Sequence, residues 1–314
     1  MKHFAITGVA GYIAPRHLQA INDTGNRLVA ALDPNDSVGI LDRYSQDVAF
    51  FTEFERFDRH LERLKRSPGR KEVDYLTICT PNYLHDAHIR LALRLGCSAI
   101  CEKPLVATPW QLDALAELEA ESPGRIYNVL QLRVHESIIE LKKKLDAQKP
   151  GKKYQVELTY ITSRGPWYHY SWKGNTDKSG GIATNIGIHF FDMLSWLFGE
   201  VEHSELYLSE PKKMSGLLEL KNAEVRWFLS IDRNDLPAEV AEKGQTTYRS
   251  INYDGEEIEF SGGFTDLHTR VYEDILAGGG FGVEIARPSI ELVHNIRNSP
   301  VLTNRKHPHR FLIT

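Results

Sequence analysis

The sequence predicts an α/β protein in two parts, a doubly wound parallel sheet followed by an α+β domain whose sheet is mainly antiparallel. Three observations predict it. Short apolar runs alternate with amphipathic helical patterns up to residue 128. The first of these runs breaks into a glycine turn that opens a helix. From Tyr154 onward strand patterns follow one another through short connections with few helices between them. With 314 residues, 41% hydrophobic and 25% charged, the chain can bury a core in each part, and the expected division is 1–128 and 129–314.

Composition narrows the classes of partner. A formal net charge of −4 argues against nucleic acid as the main partner, although a local basic patch can still receive a phosphorylated ligand. No apolar run has membrane-spanning length, and Met1-Lys2-His3-Phe4 enters a strand pattern directly. The expectation is a cytoplasmic protein without a membrane partner. Cys79, Cys97 and Cys101 lie in apolar surroundings without zinc-like spacing, so reduced core thiols and no metal are expected.

His3-Phe4-Ala5-Ile6-Thr7 reads as a buried strand, and Gly8, Gly11, Tyr12 and Ile13 form the turn into a helix. Such a turn offers backbone N–H groups and a positive dipole end to a pyrophosphate. Arg27 to Leu32 is the next strand, and Asp33 follows it about 20 residues beyond the turn, where a dinucleotide-binding Rossmann domain places its ribose carboxylate. A carboxylate there repels a 2′-phosphate, so NAD is favoured over NADP. Residues 51–66 form an amphipathic helix. Val73 to Cys79 and Ser98 to Cys101 are further strands, ending in Thr80-Pro81-Asn82 with His85 and in Glu102-Lys103-Pro104. All of these polar groups follow strand C-termini, the ligand side of an open α/β sheet. A helix from Pro109 to Glu121 and a strand from Ile126 to Gln131 complete the pattern. The lysine-rich stretch Lys142, Lys143, Lys144, Lys149, Lys152 and Lys153 reads as a solvated turn.

In the second part, Tyr154–Thr162, His203–Leu208, Met214–Leu220, Val225–Ile231, Tyr248–Tyr253 and Glu256–Phe260 read as strands. Leu267–Leu276 and Pro288–Arg297 read as closing helices. The stretch from Gly180 to Phe198 predicts a helix opened by a glycine pair. On one uninterrupted α-helix Asn185, His189, Asp192 and Trp196 share a stripe, opposite Phe190, Phe191, Leu194, Leu197 and Phe198. His189 and Asp192 either line a site or satisfy each other. Between strand and helix, an irregular segment carries Arg164, Trp167, Tyr168, Trp172, Lys173, Lys178 and Ser179. Rings for stacking and cations for phosphate or carboxylate fit a sugar-nucleotide site. Arg133 follows a buried strand and is placed to grip a carboxylate bidentately.

The glycine turn, Thr80-Pro81-Asn82 with His85, Glu102-Lys103-Pro104, and Gly180-Gly181 followed by Asn185 and His189 resemble, in order and spacing, the Gfo/Idh/MocA oxidoreductase family. The resemblance implies an NAD-binding first domain whose cofactor residues include Gly8, Gly11, Tyr12, Ile13, Asp33, Thr80, Pro81, Asn82, His85, Glu102 and Lys103. It implies a second domain for substrate and oligomerisation, commonly as a homotetramer. Lys103 is implied to reach the reacting carbinol, with His189 as proton-transfer partner. Asn185 stands where the family usually has aspartate, so His189 carries more of the acid–base role or finds a partner in Asp192. Within the family, Leu132-Arg133, Arg164-Gly165, Trp167-Tyr168, Ser171-Trp172-Lys173-Gly174 and Lys178-Ser179-Gly180-Gly181 resemble members that act on UDP-linked N-acetyl uronic acids in O-antigen synthesis. That likeness implies a UDP-sugar uronic acid substrate held by Arg133, Arg164, Trp167, Tyr168, Trp172, Lys173, Lys178, Ser179, Asn185 and His189. Some such members reoxidise NADH with 2-oxoglutarate, and the residues leave open whether this chain does. Oxidation of a simple sugar or inositol, and NAD binding without turnover, are the alternative readings.

Overall fold

The computed structural model describes residues 1–66, 72–148, 151–260 and 262–313; Lys149 and Pro150 of the lysine-rich stretch and Thr314 of the tail lie outside them. The chain forms two compact units, Met1–Gln131 with Thr265–Arg287, and Leu132–Phe264 with Pro288–Thr314. In chain order the first stretch holds β1 (His3–Thr7), α1 (Ala14–Asp23), β2 (Arg27–Leu32), β3 (Ala49–Phe51), α2 (Phe54–Arg66), β4 (Tyr75–Ile78), α3 (His85–Leu95), β5 (Ser98–Cys101), α4 (Pro109–Glu121) and β6 (Ile126–Asn128). Next come α5 (Glu136–Asp146), β7 (Tyr154–Thr162), α6 (Trp167–Tyr170), α7 (Thr176–Ser179), α8 (Ile188–Phe198), β8 (Val201–Ser209), β9 (Lys213–Leu220), β10 (Ala223–Ser230), α9 (Ala238–Glu242), β11 (Thr247–Tyr253) and β12 (Glu256–Glu259). The chain ends through α10 (Leu267–Leu276) and α11 (Val283–Asn298).

In the first unit the sheet order is β3-β2-β1-β4-β5-β6, with every described pairing parallel. Its strands are short apolar runs covered on both faces, and Phe4, Ala5, Ile6, Leu76, Ile78, Ala99 and Ile100 are fully buried. The order reverses between β1 and β4, so the turns after these two strands flank the crevice where this architecture binds ligands. Strand β3 has three residues, too few to show alternation in sequence. A single cut after residue 128 does not describe the packing, because 265–287 belongs to the first unit. Helix α10 lies along α1, and its buried Tyr272 hydroxyl bonds Thr77 Oγ1 at 2.8 Å and His17 Nδ1 at 2.9 Å. Buried polar groups that find partners only there hold the segment in place.

The second unit has the sheet order β12-β11-β7-β10-β9-β8. Its pairings are antiparallel except β7 with β10, which run parallel. Helix α8 covers the sheet, with Phe191 edge-on to Trp227 at 5.3 Å and Phe190 on Tyr160 at 4.4 Å between ring centroids. The tail docks on β8 and β10: Leu302 N donates to Leu206 O, and His309 and Phe311 stack on Phe228 at 5.5 and 5.2 Å. All three cysteines are free and buried. Among the described residues no helix is long and apolar enough to cross a membrane.

Candidate active site

The turn after β1 is shaped by its glycines. Gly8 has φ +81°, and a Cβ there would stand 2.6 Å from the Cys79 carbonyl carbon, so only glycine lets β1 turn this close to the end of β4. Gly8 N donates to Leu32 O at 2.8 Å and Gly11 N to Gly8 O at 3.0 Å. The amides of Tyr12 and Ile13, at the start of α1, meet no acceptor among the described residues. Two open N–H groups at a helix N-terminus fit a pyrophosphate. Asp33 is buried, and its carboxylate accepts Ala10 N at 3.0 Å on one oxygen and Asn35 N at 2.9 Å on the other. That orients it beside the turn while leaving lone pairs for ribose hydroxyls. The turn and the acid together fit an adenine dinucleotide.

Thr80, Pro81 and Asn82 follow β4, and two of the residues expected here, Thr80 and His85, meet internal partners. Thr80 Oγ1 lies 3.3 Å from His88 Nδ1, which is also 3.0 Å from Thr7 Oγ1. His85 is fully buried, with Nδ1 2.7 Å from Pro104 O and Nε2 2.9 Å from Thr80 O. Burial pushes this imidazole down, and because both partners are carbonyl oxygens, a neutral ring donates its single N–H to only one of them. Both ring nitrogens of His85 thus face protein groups.

Glu102 is also an internal group. Its Oε1 accepts from Nε2 of His17 and from Nε2 of His268, each at 2.9 Å, and its Oε2 accepts the Lys103 amide at 3.3 Å. Burial alone raises the Glu102 carboxyl, yet the two imidazole donors hold it well below the usual carboxylate range. Burial pushes His17 down, so it donates as a neutral ring. The Lys103–Pro104 peptide is cis, and the Lys103 side chain is half-buried. His17, His268 and Tyr272 are absent from the sequence expectations, since they lie 85 or more residues from Glu102 and no spacing joins them.

In the second unit the helix opens at Gly180 and Gly181, with φ +79° and +73°, but it is not uniformly α. Residues Ala183–Gly187 form a π-helical turn before α8. The wider turn offsets Asn185 from the stripe that one uninterrupted α-helix would give, while His189, Asp192 and Trp196 keep their α-helical spacing within α8. Asn185 is buried, and its Nδ2 donates to Tyr168 Oη at 3.0 Å. Asp192 accepts two parallel bonds at 2.9 Å from Nε and Nη2 of Arg133, whose guanidinium also lies over Trp196. The carboxylate that Arg133 grips bidentately is thus the protein's own. Asp192 remains pushed up by burial, against the pull of Arg133.

The expected irregular segment folds into single helical turns: α6, a 3-10 turn at Trp172–Gly174, and α7. Ser171 Oγ caps the second by accepting Lys173 N at 3.3 Å, and Asn175 Oδ1 caps the third by accepting Lys178 N at 3.1 Å. Ser179 is spent internally, donating to Asn175 O and accepting from Gly181 N. Lys178 is exposed. Lys173 Nζ lies 4.4 Å from the Trp172 ring centroid, and burial, then the Arg164 charge, push its ammonium down. Neither Arg164 nor Lys173 meets an acid among the described residues. Two neighbouring cations without a counterion among the described residues, beside Tyr168, Asn185 and exposed Trp167, are a combination that suits an anionic ligand with a flat face.

A parallel sheet carrying this glycine turn and this acid defines a dinucleotide-binding protein of the oxidoreductase class. Residues 2–129 match the model described as "Oxidoreductase family, NAD-binding Rossmann fold", and residues 142–234 match "Oxidoreductase family, C-terminal alpha/beta domain". The chain belongs to the Gfo/Idh/MocA oxidoreductase family. It is 51% identical to the WlbA (WbpB) dehydrogenase from Thermus thermophilus, solved in complex with NAD and alpha-ketoglutarate, with 98% of this chain and 99% of that one covered and a TM-score of 0.95. A second structure from Thermus thermophilus, in complex with NAD and UDP-GlcNAcA, has the same identity and coverage and a TM-score of 0.93. The chain is 27% identical over 200 residues to inositol 2-dehydrogenase of Rhizobium meliloti, a match covering 63% of this chain and 55% of that enzyme. The chain thus spans little more than half the length of that curated relative.

Proposed function

We propose that this protein uses NAD to oxidise the C3 hydroxyl of UDP-N-acetylglucosaminuronic acid to the 3-keto sugar nucleotide. The observation that carries the reading is the acid-free cation pair Arg164 and Lys173 beside Tyr168 and Asn185. An anionic sugar nucleotide supplies the missing charge, with ring faces for Trp167 and Trp172. The 51% likeness to an enzyme solved with UDP-GlcNAcA supports the same substrate. Bound NAD supplies the hydride acceptor. The Tyr12 and Ile13 amides hold its pyrophosphate and Asp33 its adenosine ribose. The Lys103 cation stabilises alkoxide character at the C3 oxygen, and His189 takes the hydroxyl proton. One hydride and one proton leave the sugar, and a ketone remains.

Reoxidation in place completes the cycle in this reading, with 2-oxoglutarate accepting the hydride and a proton to become 2-hydroxyglutarate; the relative solved with NAD and alpha-ketoglutarate supports it. The setting is lipopolysaccharide O-antigen synthesis, by a cytoplasmic homotetramer. Mass spectrometry of the sugar nucleotide after incubation with NAD, with and without 2-oxoglutarate, tests the proposal. Loss of two hydrogens matched by 2-hydroxyglutarate is expected, and Lys103→Met should abolish it while NAD affinity stays within about threefold. Turnover of inositol or a simple sugar without the UDP-linked substrate would overturn the assignment.

A further inference from the structure

Glu102 sits at the centre of a buried chain whose hydrogen-bond directions can be assigned. An ionised carboxylate only accepts, so His17 and His268 must both carry their protons on Nε2, the atoms 2.9 Å from Glu102 Oε1. His17 Nδ1 is then an acceptor, so the Tyr272 hydroxyl donates to it at 2.9 Å. The Tyr272 oxygen in turn accepts from Thr77 Oγ1 at 2.8 Å. Four side chains from β4, α1, α10 and the end of β5 point one line of donors at one carboxylate oxygen. The arrangement carries a cost, because His268 Nδ1 is buried without a partner among the described residues. A native structure keeps such an atom where its other end has a task.

We propose that His17 and His268 are positioning residues for Lys103: by donating to one oxygen of Glu102 they fix the other as acceptor for the Lys103 amide, and so hold the main chain that aims this side chain. The proposal rests on the role given to Lys103 above. It also gives a task to the stretch 265–287, which returns to the first unit carrying both His268 and Tyr272. The two imidazole donors hold the Glu102 carboxyl well below the usual carboxylate range, which favours the ionised acceptor. His17, Glu102 and His268 also have their ligand atoms within 4.8 Å of one another. A divalent metal there would replace the two imidazole donors by coordination.

The test compares His268→Leu, which cannot donate, with His268→Gln, whose side-chain N–H reaches a position similar to that of imidazole Nε2–H. For His268→Leu we expect kcat to fall tenfold or more, with KM for NAD and the sugar nucleotide within threefold. The acid limb of its kcat profile should move to higher pH, because a carboxylate that loses a donor is easier to protonate. His268→Gln should recover most of the rate and the wild-type limb. Equal losses in both variants, or a fall with no shift of the limb, would overturn the proposal, as would stoichiometric metal in the purified protein. If wild type does not oxidise the sugar nucleotide, the substrate assignment fails alone. Hydrogen exchange of the peptide spanning 99–106 then decides: faster exchange in His268→Leu only supports the positioning role, and identical exchange in all three proteins ends it.

Discussion

Replacing Arg133 with methionine separates two roles that one guanidinium can play. Asp192 is 3% exposed and takes both of its short bonds from Arg133. Truncation strands a buried acid, which costs about 3–5 kcal/mol. The loss has a signed pH dependence. Asp192 already has its carboxyl raised by burial, and without the cation it rises further. A raised folded-state value means stability that is full below the unfolded carboxyl value of 3.8 and lost as pH rises through the folded value. Each pH unit inside that window is worth about 1.4 kcal/mol. Urea unfolding at pH 5 and pH 8, followed by circular dichroism and tryptophan emission, should therefore show the larger deficit at pH 8. Trp196 lies 5.5 Å beneath the Arg133 guanidinium and reports on this unit. Arg133→Met/Asp192→Leu should recover most of the stability, since a buried pair is often replaceable by apolar side chains. A loss below about 1 kcal/mol, coupled to a raised KM for the sugar nucleotide, would refute this reasoning and return Arg133 to the substrate.

Lys173→Met should raise KM for the sugar nucleotide about tenfold or more, and Arg164→Met similarly, with NAD affinity unchanged; charge-assisted bonds of about 1.5–3 kcal/mol set that scale, and steady-state kinetics read it. Asn185→Asp should reverse the bond to Tyr168, making the phenol the donor, and shift the pH profile of turnover; an unchanged profile would remove this pair from the proton chemistry. Burial pushes His88 to about 4 and His309 to about 3, so both stay neutral while their unfolded counterparts protonate below 6.5. Stability then falls with pH, by about 2 kcal/mol per histidine between pH 7 and pH 5. Thermal melts of His309→Asn across this range should show a shallower decline than wild type.

Regular elements were legible where side chains report their own environment. Tyr154–Thr162, Leu267–Leu276 and Pro109–Glu121 coincide with β7, α10 and α4, because alternation or helical spacing is a local record of burial. The glycine turn and Asp33 were legible because a dinucleotide imposes the same backbone demands wherever it binds. Pairings made only by the finished fold left no such record. Nothing in the spacing says that Arg133 meets Asp192 across 59 residues. The π-helical turn at Ala183–Gly187 hides for another reason: one widened turn leaves no mark in composition, yet it offsets Asn185 from the residues of α8. The cation pair proposed to hold the substrate lay between these cases, since Arg164 and Lys173 were visible as cations while the lack of an acid partner among the described residues is a property of space.

The discontinuous first unit also orders events during synthesis. His17 has been made when Glu102 emerges from the ribosome, but His268 follows Glu102 by 166 residues. At translation speeds of roughly 5–20 residues per second that is a wait of roughly 8–33 seconds. β6 (Ile126–Asn128) is made early in that interval, and from then on all the strands of the first sheet exist while the carboxylate at the end of β5 has one imidazole donor instead of two. The strands of the second sheet are all translated before the missing histidine arrives. The second imidazole donor to the carboxylate beside Lys103 is thus supplied only after both sheets have been translated.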